Sequence, residues 1–194
     1  MFYLEIYKRF ISLFIFDIIN MGDAMKEIIH NEDNLKQENI NNVVKRAKVL
    51  IINSNDEFLL AKVNNDIHVV GGHVDKNETD QETIIREVKE ETGIDIAFNE
   101  EKPFINIKYI CKNYPKNNVN TLFSANYYII KCDLKPDLNN TSLEPGEING
   151  NFKLLYVHKD KAIDMLESSL EVCKNKNVVH DTIDVISEYL KSRN

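Results

Sequence analysis

The segment from Gly72 to Ile94 constrains the fold more than any other part of this 194-residue sequence, because it specifies one helix together with both of its ends. At the start, Thr79 and Glu82 have the spacing of a capping box, in which each side chain satisfies a free backbone N–H group. At the other end, Gly93 is the residue type that commonly terminates a helix in a left-handed conformation. The sequence therefore predicts a helix that begins near Thr79 and stops at Gly93.

One side of this predicted helix carries three glutamates. Glu87, Glu90 and Glu91 stand at positions i, i+3 and i+4, so their carboxylates project from the same face. A solvated acidic surface is the plainest interpretation of such a charge run. Like charges at this spacing repel one another, however, and clustered carboxylates are typical ligands of Mg²⁺ or Mn²⁺. Both interpretations stay open on these residues alone, and the repulsion favours the divalent-metal site.

Other residues of the predicted helix indicate what its remaining sides contact. Arg86 can orient one of the glutamates through a charge-assisted hydrogen bond. Ile84, Ile85 and Val88 fall on the adjoining side at helical spacing, and we expect them to face the core. The helix is therefore predicted to lie with an apolar side on the body of the protein and an acidic side beside it.

Strand-like segments lie on both sides of the helix in the sequence. Before it, three short strands joined by polar turns are predicted over Ala47–Asn53, Glu57–Val63 and Ile67–Val70. We expect Gly71-Gly72 to break the third. Further strand-like runs are Ile94–Phe98, Ile105–Cys111, Ser124–Lys131 and Phe152–His158, and two closing helices are predicted over Asp160–Leu166 and Val178–Leu190. This order predicts an α/β fold with helices on the faces of a mixed sheet.

Residues 1–25 form an apolar segment ahead of the domain. Its longest run without charge, Phe10 to Phe16, is far shorter than the roughly 18 residues of a membrane span, so we expect no span here. Three interpretations stay open: a helix docked on the domain or on a partner, a membrane-surface anchor, or an upstream start codon. In the last case, translation could begin instead at Met21 or Met25.

The next segment, residues 26–42, is polar and rich in asparagine, and it predicts a linker or a short helix. This division leaves residues 43–194 for the main domain. We see no internal repeat and no second change of composition in that range. The length is within the usual size of a single domain.

Charge and cysteine content exclude several classes of protein. With 24 Lys and Arg against 31 Asp and Glu, the net charge of −7 argues against nucleic acid as a partner held by a basic surface. Phosphate-bearing ligands are not excluded if something else supplies positive charge. The three cysteines are widely spaced without a Cys-x-x-Cys pair, which argues against a disulfide framework or a zinc knuckle and favours a reducing, cytoplasmic location.

The segment from Gly72 to Ile94 resembles the signature of a known family. The pattern G-x5-E-x7-R-E-U-x-E-E-x-G-U, with U an aliphatic residue, is the Nudix box of the Nudix hydrolase family. The sequence matches it at Gly72, Glu78, Arg86, Glu87, Val88, Glu90, Glu91, Gly93 and Ile94. The resemblance implies a Nudix-type α/β/α sandwich with a mixed β-sheet. It also implies hydrolysis of a nucleoside diphosphate linked to another moiety X, a small-molecule substrate.

The resemblance assigns roles to individual residues by position. It implies that Mg²⁺ or Mn²⁺ would be held by the backbone carbonyl of Gly71 and by the side chains of Glu87, Glu90 and Glu91. Arg86 would orient the glutamates, and Glu78 would position the loop before the helix. Because the chain is already negatively charged, a bound metal would offset its repulsion of a pyrophosphate.

The general base is open between two kinds of residue. Many relatives place this base on a glutamate in a loop before a late strand, and Glu144 and Glu147 occupy such a loop here. We take Glu147 as the candidate. The alternative is that Glu87 acts as the base through a water at the metal.

The sequence does not identify X. ADP-ribose, an oxidised nucleoside triphosphate, a dinucleoside polyphosphate and NADH all stay open, and no residue is assigned to substrate binding. Tyr109, Tyr114, Phe123, Tyr127 and Tyr128 could form a stacking wall, but aromatic residues at strand spacing belong more often to the core. We likewise expect His68 and His73 to be structural.

Three other functions are weighed against hydrolysis of a nucleotide. Action on an RNA 5′ end would require a basic groove, but basic residues are sparse in the charged runs, which offer only Lys108, Lys112 and Lys116. A non-catalytic nucleotide-sensing module typically has a damaged box, and this box is intact. The isomerase branch relies on a catalytic cysteine and an altered box, neither of which is visible here. Many relatives are homodimers, which leaves that state open as well.

Overall fold

A computed structural model of the protein describes residues 25–100 and 102–193. It has the predicted α/β class, built on one mixed sheet of seven strands. The strands are β1 (Lys26–His30), β2 (Asn42–Ile52), β3 (Glu57–Val63), β4 (Asp66–His73), β5 (Ile105–Cys111), β6 (Thr121–Lys131) and β7 (Lys153–His158). Across the sheet the order is β1-β5-β6-β2-β4-β3-β7, with an additional pairing of β2 to β3. The pairs β1–β5 and β2–β6 are parallel and the others are antiparallel.

Helices cover both faces of the sheet, as expected for an α/β/α sandwich. They are α1 (Asp80–Thr92), α2 (Pro145–Asn149), α3 (Lys159–Ser169) and α4 (Lys176–Ser192). On one face, α1 packs through Ile84 and Val88 against the buried side chains of β2, β3 and β6. On the other face, α3 and α4 pack through residues such as Leu166 and Ile186 against a second cluster. The sheet is therefore covered on both sides, which suits its apolar central strands.

Helix α1 forms as its sequence predicts. The hydroxyl oxygen of Thr79 accepts a hydrogen bond from the backbone N–H of Glu82, and the Glu82 carboxylate accepts one from the N–H of Thr79. Gly93 ends the helix with a φ of 76° in the left-handed region. Ile84 and Val88 are fully buried, whereas Ile85 is only half-buried. The capping residues thus fix where the acidic face of the helix starts and stops.

Two local predictions differ from the structure. Gly71-Gly72 does not break the third strand, because β4 continues through both glycines to His73 and pairs them with Lys48 and Ala47 of β2. A Cβ at Gly71 would overlap the backbone of β2, so the close pairing itself requires glycine. The predicted strand Ile94–Phe98 is irregular instead, although its apolar side chains still pack on the α1 side of the sheet.

The segment predicted to be a linker or short helix, residues 26–42, contains edge strand β1 and a short 3-10 turn at Gln37–Asn39. Strand β1 pairs in parallel with β5, a partner distant in sequence, so local patterning could not reveal it. Ion pairs join Lys26 to Glu188 and Glu27 to Lys108, while Ile28 packs on the core.

The interpretations of residues 1–25 concern a segment that, apart from Met25, lies outside the described residues. Within the described ranges no helix is both long and apolar enough to cross a bilayer.

The C-terminal glycine of α1 generates a stability prediction. Replacing Gly93 by alanine would put a Cβ on a left-handed residue and into the backbone of Asp137, so we expect the free energy of unfolding to fall by at least about 1 kcal/mol. Gly146→Ala is the matched control, since nothing lies within 4 Å of a Cβ there. Urea unfolding of both variants measures the difference, and equal stability would contradict this account of the helix end.

Candidate active site

The candidate site lies where the acidic face of α1 meets the two glycines of β4. Glu87 is placed so close to Gly72 that a Cβ on residue 72 would overlap its carboxylate. Glycine at this position therefore lets the carboxylate approach the strand backbone. Helix α1 supplies the carboxylates of the site, and the missing side chain of Gly72 leaves room for that of Glu87.

Arg86 joins several carboxylates of the site by hydrogen bonds. Its Nε and Nη2 donate hydrogen bonds of 2.9 Å to the two carboxylate oxygens of Glu78, which is the bidentate geometry that arginine favours. Its Nη1 donates to Glu87 at 2.7 Å and to Glu90 at 3.1 Å, and Nη2 also reaches the carbonyl of His73 at 2.9 Å. We expected Arg86 to orient one glutamate, and it bonds to three. The Arg86 guanidinium lowers the pKa of Glu78 to about 2.

Glu91 is bound differently, because it is only 2% exposed. Its Oε1 accepts a hydrogen bond of 3.0 Å from the N–H of Gly71, while its buried Oε2 has no hydrogen-bond partner. Burial raises the pKa of Glu91 to about 8, and burial also raises the pKa of Glu87. Without a bound cation, burial therefore disfavours the ionised form of these two carboxyl groups.

The side chains do not converge as a ready-made cluster. Among the residues that the structure describes, no three His, Cys, Asp or Glu side chains are grouped so that they could hold a metal ion as they stand. Hydrogen bonds to Arg86 direct Glu87 and Glu90, and the Gly71 N–H directs Glu91. The donors are nevertheless carboxylate oxygens, which suit a hard divalent cation, and one of them is buried without a partner.

Glu147 lies on α2, a short helix where the sequence predicts a loop. Its Oε2 accepts a hydrogen bond of 2.7 Å from the N–H of Glu144, so the two glutamates help to start this helix. Burial raises the pKa of Glu147, and the negative charges of Glu144 and Glu90 add to the rise. The candidate base is thus within electrostatic range of the acidic face of α1, while one of its oxygens has a structural role.

Sequence reasoning missed two cations on β2. Lys48 is only 7% exposed and pairs in register with Gly71. Arg46, two residues earlier, pairs with His73, and its Nη2 lies 3.4 Å from Nε2 of that histidine. A lysine at an inward position of an otherwise apolar strand was the available signal, because such charges are seldom buried without a reason. Burial lowers the pKa of His68 to about 3, which keeps this histidine neutral, and its structural role stays a prediction.

Comparison with known proteins extends these observations. A family model of the NUDIX domain matches residues 44–165, more than half of the chain. The chain is 33% identical over 95 residues to the bis(5′-nucleosyl)-tetraphosphatase [asymmetrical] of Mus musculus, a match that covers 44% of this chain and 61% of that protein. The chain therefore matches less than two thirds of the length of this curated relative.

Solved structures also resemble the chain. A MutT NUDIX hydrolase from Burkholderia pseudomallei matches with a TM-score of 0.46 and 19% identity, over 62% of this chain and 86% of that one. The MutT protein from Bacillus halodurans matches with a TM-score of 0.42 and 20% identity, over 63% of this chain and 72% of that one.

The buried Glu91 generates a pH prediction for the metal-free protein. Its pKa in the folded state is about 8, above the ordinary carboxyl value of 4.5, so the folded state binds more protons than the unfolded state between these values. The stability that Glu91 contributes is therefore complete below pH 4.5 and is lost as the pH rises through about 8. We expect the Tm in EDTA to fall over this window.

Glu91→Gln removes this titrating group and should make the fall in Tm shallower. Glu38→Gln changes an exposed glutamate, with a side chain 73% exposed, and is the matched control. Thermal unfolding by circular dichroism between pH 5 and pH 9 compares the three proteins. An identical slope in wild type and Glu91→Gln would show that burial does not raise this carboxyl pKa.

Proposed function

Because the chain belongs to the NUDIX family, we propose that it is a Mg²⁺- or Mn²⁺-dependent hydrolase that cleaves a phosphoanhydride bond in a nucleoside diphosphate linked to another moiety X. The observation that carries the proposal is the acidic site at the glycine pair. There, Arg86 bonds to three glutamates, and Glu91 keeps a buried oxygen without a partner. A protein rarely keeps such an unsatisfied buried oxygen without a ligand that needs it.

The proposed ligands of the cation are Glu87, Glu90, Glu91 and the carbonyl of Gly71. Their fit rests on the hard oxygen donors and on the unpartnered Oε2 of Glu91. When bound, the cation would offset the charge of the phosphates and polarise a phosphoryl oxygen. The protein's own contribution is to hold these oxygens at one end of the sheet.

Arg86 is proposed as a positioning residue. It is itself held from two sides, by both oxygens of Glu78 and by the carbonyl of His73. Its remaining hydrogen bonds then fix the rotamers of Glu87 and Glu90. Loss of this guanidinium would leave like charges one helical turn apart without a partner, and the carboxylates would move apart.

Glu147 is proposed as the general base. One of its oxygens accepts the N–H of Glu144, which leaves the other oxygen to take a proton from a water molecule. That water would attack phosphorus, the bond from phosphorus to the bridging oxygen would break, and the bridging oxygen would leave with the departing phosphate group. A raised carboxyl pKa suits a group that must accept a proton. Glu87 is the alternative base.

Bis(5′-nucleosyl) tetraphosphates are the first substrates to test, because the mouse relative is named for them. We expect the purified protein to cleave one nucleotide of a panel with Mg²⁺ or Mn²⁺ and to lose activity in EDTA. The panel holds diadenosine tetraphosphate, ADP-ribose, NADH, normal and oxidised triphosphates and a triphosphorylated RNA 5′ end. Glu91→Gln should lower kcat by at least about 100-fold, because it removes a negative charge from the proposed cation site.

Two further variants separate the roles. Glu147→Gln should lower kcat and leave the metal requirement unchanged. Glu144→Gln, which changes the residue just before the same helix, is the control and should keep kcat. Turnover that persists in EDTA, or a fully active Glu91→Gln protein, would contradict the mechanism. Nucleotide binding without turnover of any substrate would favour the alternative, a non-catalytic nucleotide-sensing module.

A further inference from the structure

The face of the sheet that carries α1 is not covered across its whole width. Helix α1 packs over β2 and β4, and an edge-to-face contact of Phe98 with Tyr128 extends the cover to β6. The rest of this face belongs to β1, β5 and the first residues of β6 and β2. Apolar side chains on a sheet face are normally covered by another element, so the residues in this part decide whether it needs a partner.

Three aliphatic side chains lie next to one another on this uncovered part. Val49 of β2 and Tyr128 of β6 pack in the cluster under α1. Val43 and Leu122 precede them on the same strands by an even number of residues, so they face the same side of the sheet. Leu122 lies in register between Val43 and Ile110 of β5. The three side chains therefore form a row across β5, β6 and β2.

The edge strand β1 adds a fourth side chain to this row. Ile29 pairs with Lys108, which precedes Ile110 by two residues and therefore shares its face. An ion pair between Lys108 and Glu27 borders the row. We define the apolar strip as the residues Ile29, Val43, Ile110 and Leu122.

The apolar strip is accessible and takes no part in the core. Ile29 is 55% exposed and Val43 is 53% exposed, while Ile110 and Leu122 are half-buried. Within the described residues, none of the four belongs to either apolar cluster of the core. Single aliphatic side chains on a surface need no explanation, but a row across four neighbouring strands is typical of a docking surface.

The chain itself supplies an apolar segment at this place. Met25 connects residues 1–24 directly to β1, the strand that carries Ile29. The segment is therefore tethered beside the apolar strip. A short tether gives a high effective concentration, which favours the segment over a second copy of the chain as the occupant of the strip.

The pattern and the length of residues 1–24 suit the apolar strip. One side of a helix over this segment would carry, at spacings of three and four residues, Tyr3, Tyr7, Phe10, Phe14 and Ile18. The opposite side would carry Glu5, Lys8, Arg9 and Ser12. Four neighbouring strands are about 15 Å across, so about ten helical residues are enough to span them.

The charge of the segment favours the protein over a membrane surface as its docking partner. Segments that bind anionic lipids carry an excess of lysine and arginine on their polar side. Residues 1–24 carry only the basic side chains Lys8 and Arg9, against the acidic side chains Glu5, Asp17 and Asp23. The segment therefore lacks the electrostatic attraction that a surface anchor uses.

We propose that residues 1–24 dock as an amphipathic helix on the apolar strip and complete the cover of the sheet on the α1 side. This inference gives a place to one of the three interpretations of the segment, a helix docked on the domain. It does not depend on the proposed function, because no residue of the strip belongs to the acidic site.

The first test follows the segment by fluorescence. The sequence contains no tryptophan, so a single introduced tryptophan reports on the segment alone. In the full-length protein, Phe14→Trp puts this probe on the apolar side of the proposed helix, and Ser12→Trp puts it on the polar side. We expect blue-shifted emission and weak quenching by acrylamide for Phe14→Trp, and the emission of an exposed indole for Ser12→Trp. The emission of an exposed indole at both positions would overturn the inference.

The second test changes the apolar strip in the Phe14→Trp protein. Val43→Glu should shift the emission to the red and increase quenching, because it puts an unpaired charge under the docked helix. Ile29→Glu on the edge strand should do the same. Val172→Glu is the matched control, since Val172 lies between α3 and α4 and is 61% exposed, and it should leave the emission unchanged. Circular dichroism checks that each variant is folded, and an emission that ignores both strip substitutions would contradict docking at this site.

Other partners of the segment give different outcomes in the same protein. Docking within one chain predicts a Phe14→Trp emission that is independent of protein concentration and unchanged by vesicles of phosphatidylcholine and phosphatidylserine. A blue shift that appears only at high protein concentration indicates a second copy and overturns the inference. A blue shift that appears only with vesicles indicates a membrane-surface anchor and overturns it as well. None of these results changes the metal and turnover assays that test the proposed function.

Discussion

The hydrogen bonds of Arg86 are the interaction on which the candidate site depends. Glu87 and Glu90 lie one turn apart on α1, and Glu78 lies just before the helix. These three carboxylates would repel one another without a cation between them. Arg86 supplies that cation and is anchored by Glu78 on the loop before the helix, so the loop, the helix and β4 are joined at one guanidinium. Glu91 is outside this network, and its buried oxygen without a hydrogen-bond partner is the feature that points to a further cation.

Absence of side chains at the glycine pair is the second constraint. Gly71 permits β4 to approach β2, and Gly72 permits the Glu87 carboxylate to approach β4. In the same pairing, Lys48 and Arg46 of β2 lie opposite Gly71 and His73. The glycine pair therefore sets how closely β2 and helix α1 approach β4.

The parts of the fold that could be predicted from sequence are those specified locally. The capping box and Gly93 fixed α1, and alternating apolar residues located β3 and β5, because both signals lie within a few residues. Strand β1 escaped prediction because its partner is β5, 79 positions along the chain from Lys26 to Ile105. Helix α2 escaped because it is only five residues long. The position of Lys48 opposite Gly71 could not be predicted, because it depends on the register between β2 and β4.

The central claim is that the acidic face of α1 binds a divalent cation, and direct titration with Mn²⁺ tests it. Electron paramagnetic resonance of free Mn²⁺ measures binding to wild type, to Glu90→Gln and to Glu38→Gln without any substrate. We expect saturable binding to wild type and to Glu38→Gln, with an affinity at least about tenfold lower in Glu90→Gln. Equal affinity in all three proteins, or no binding to wild type, would contradict the account.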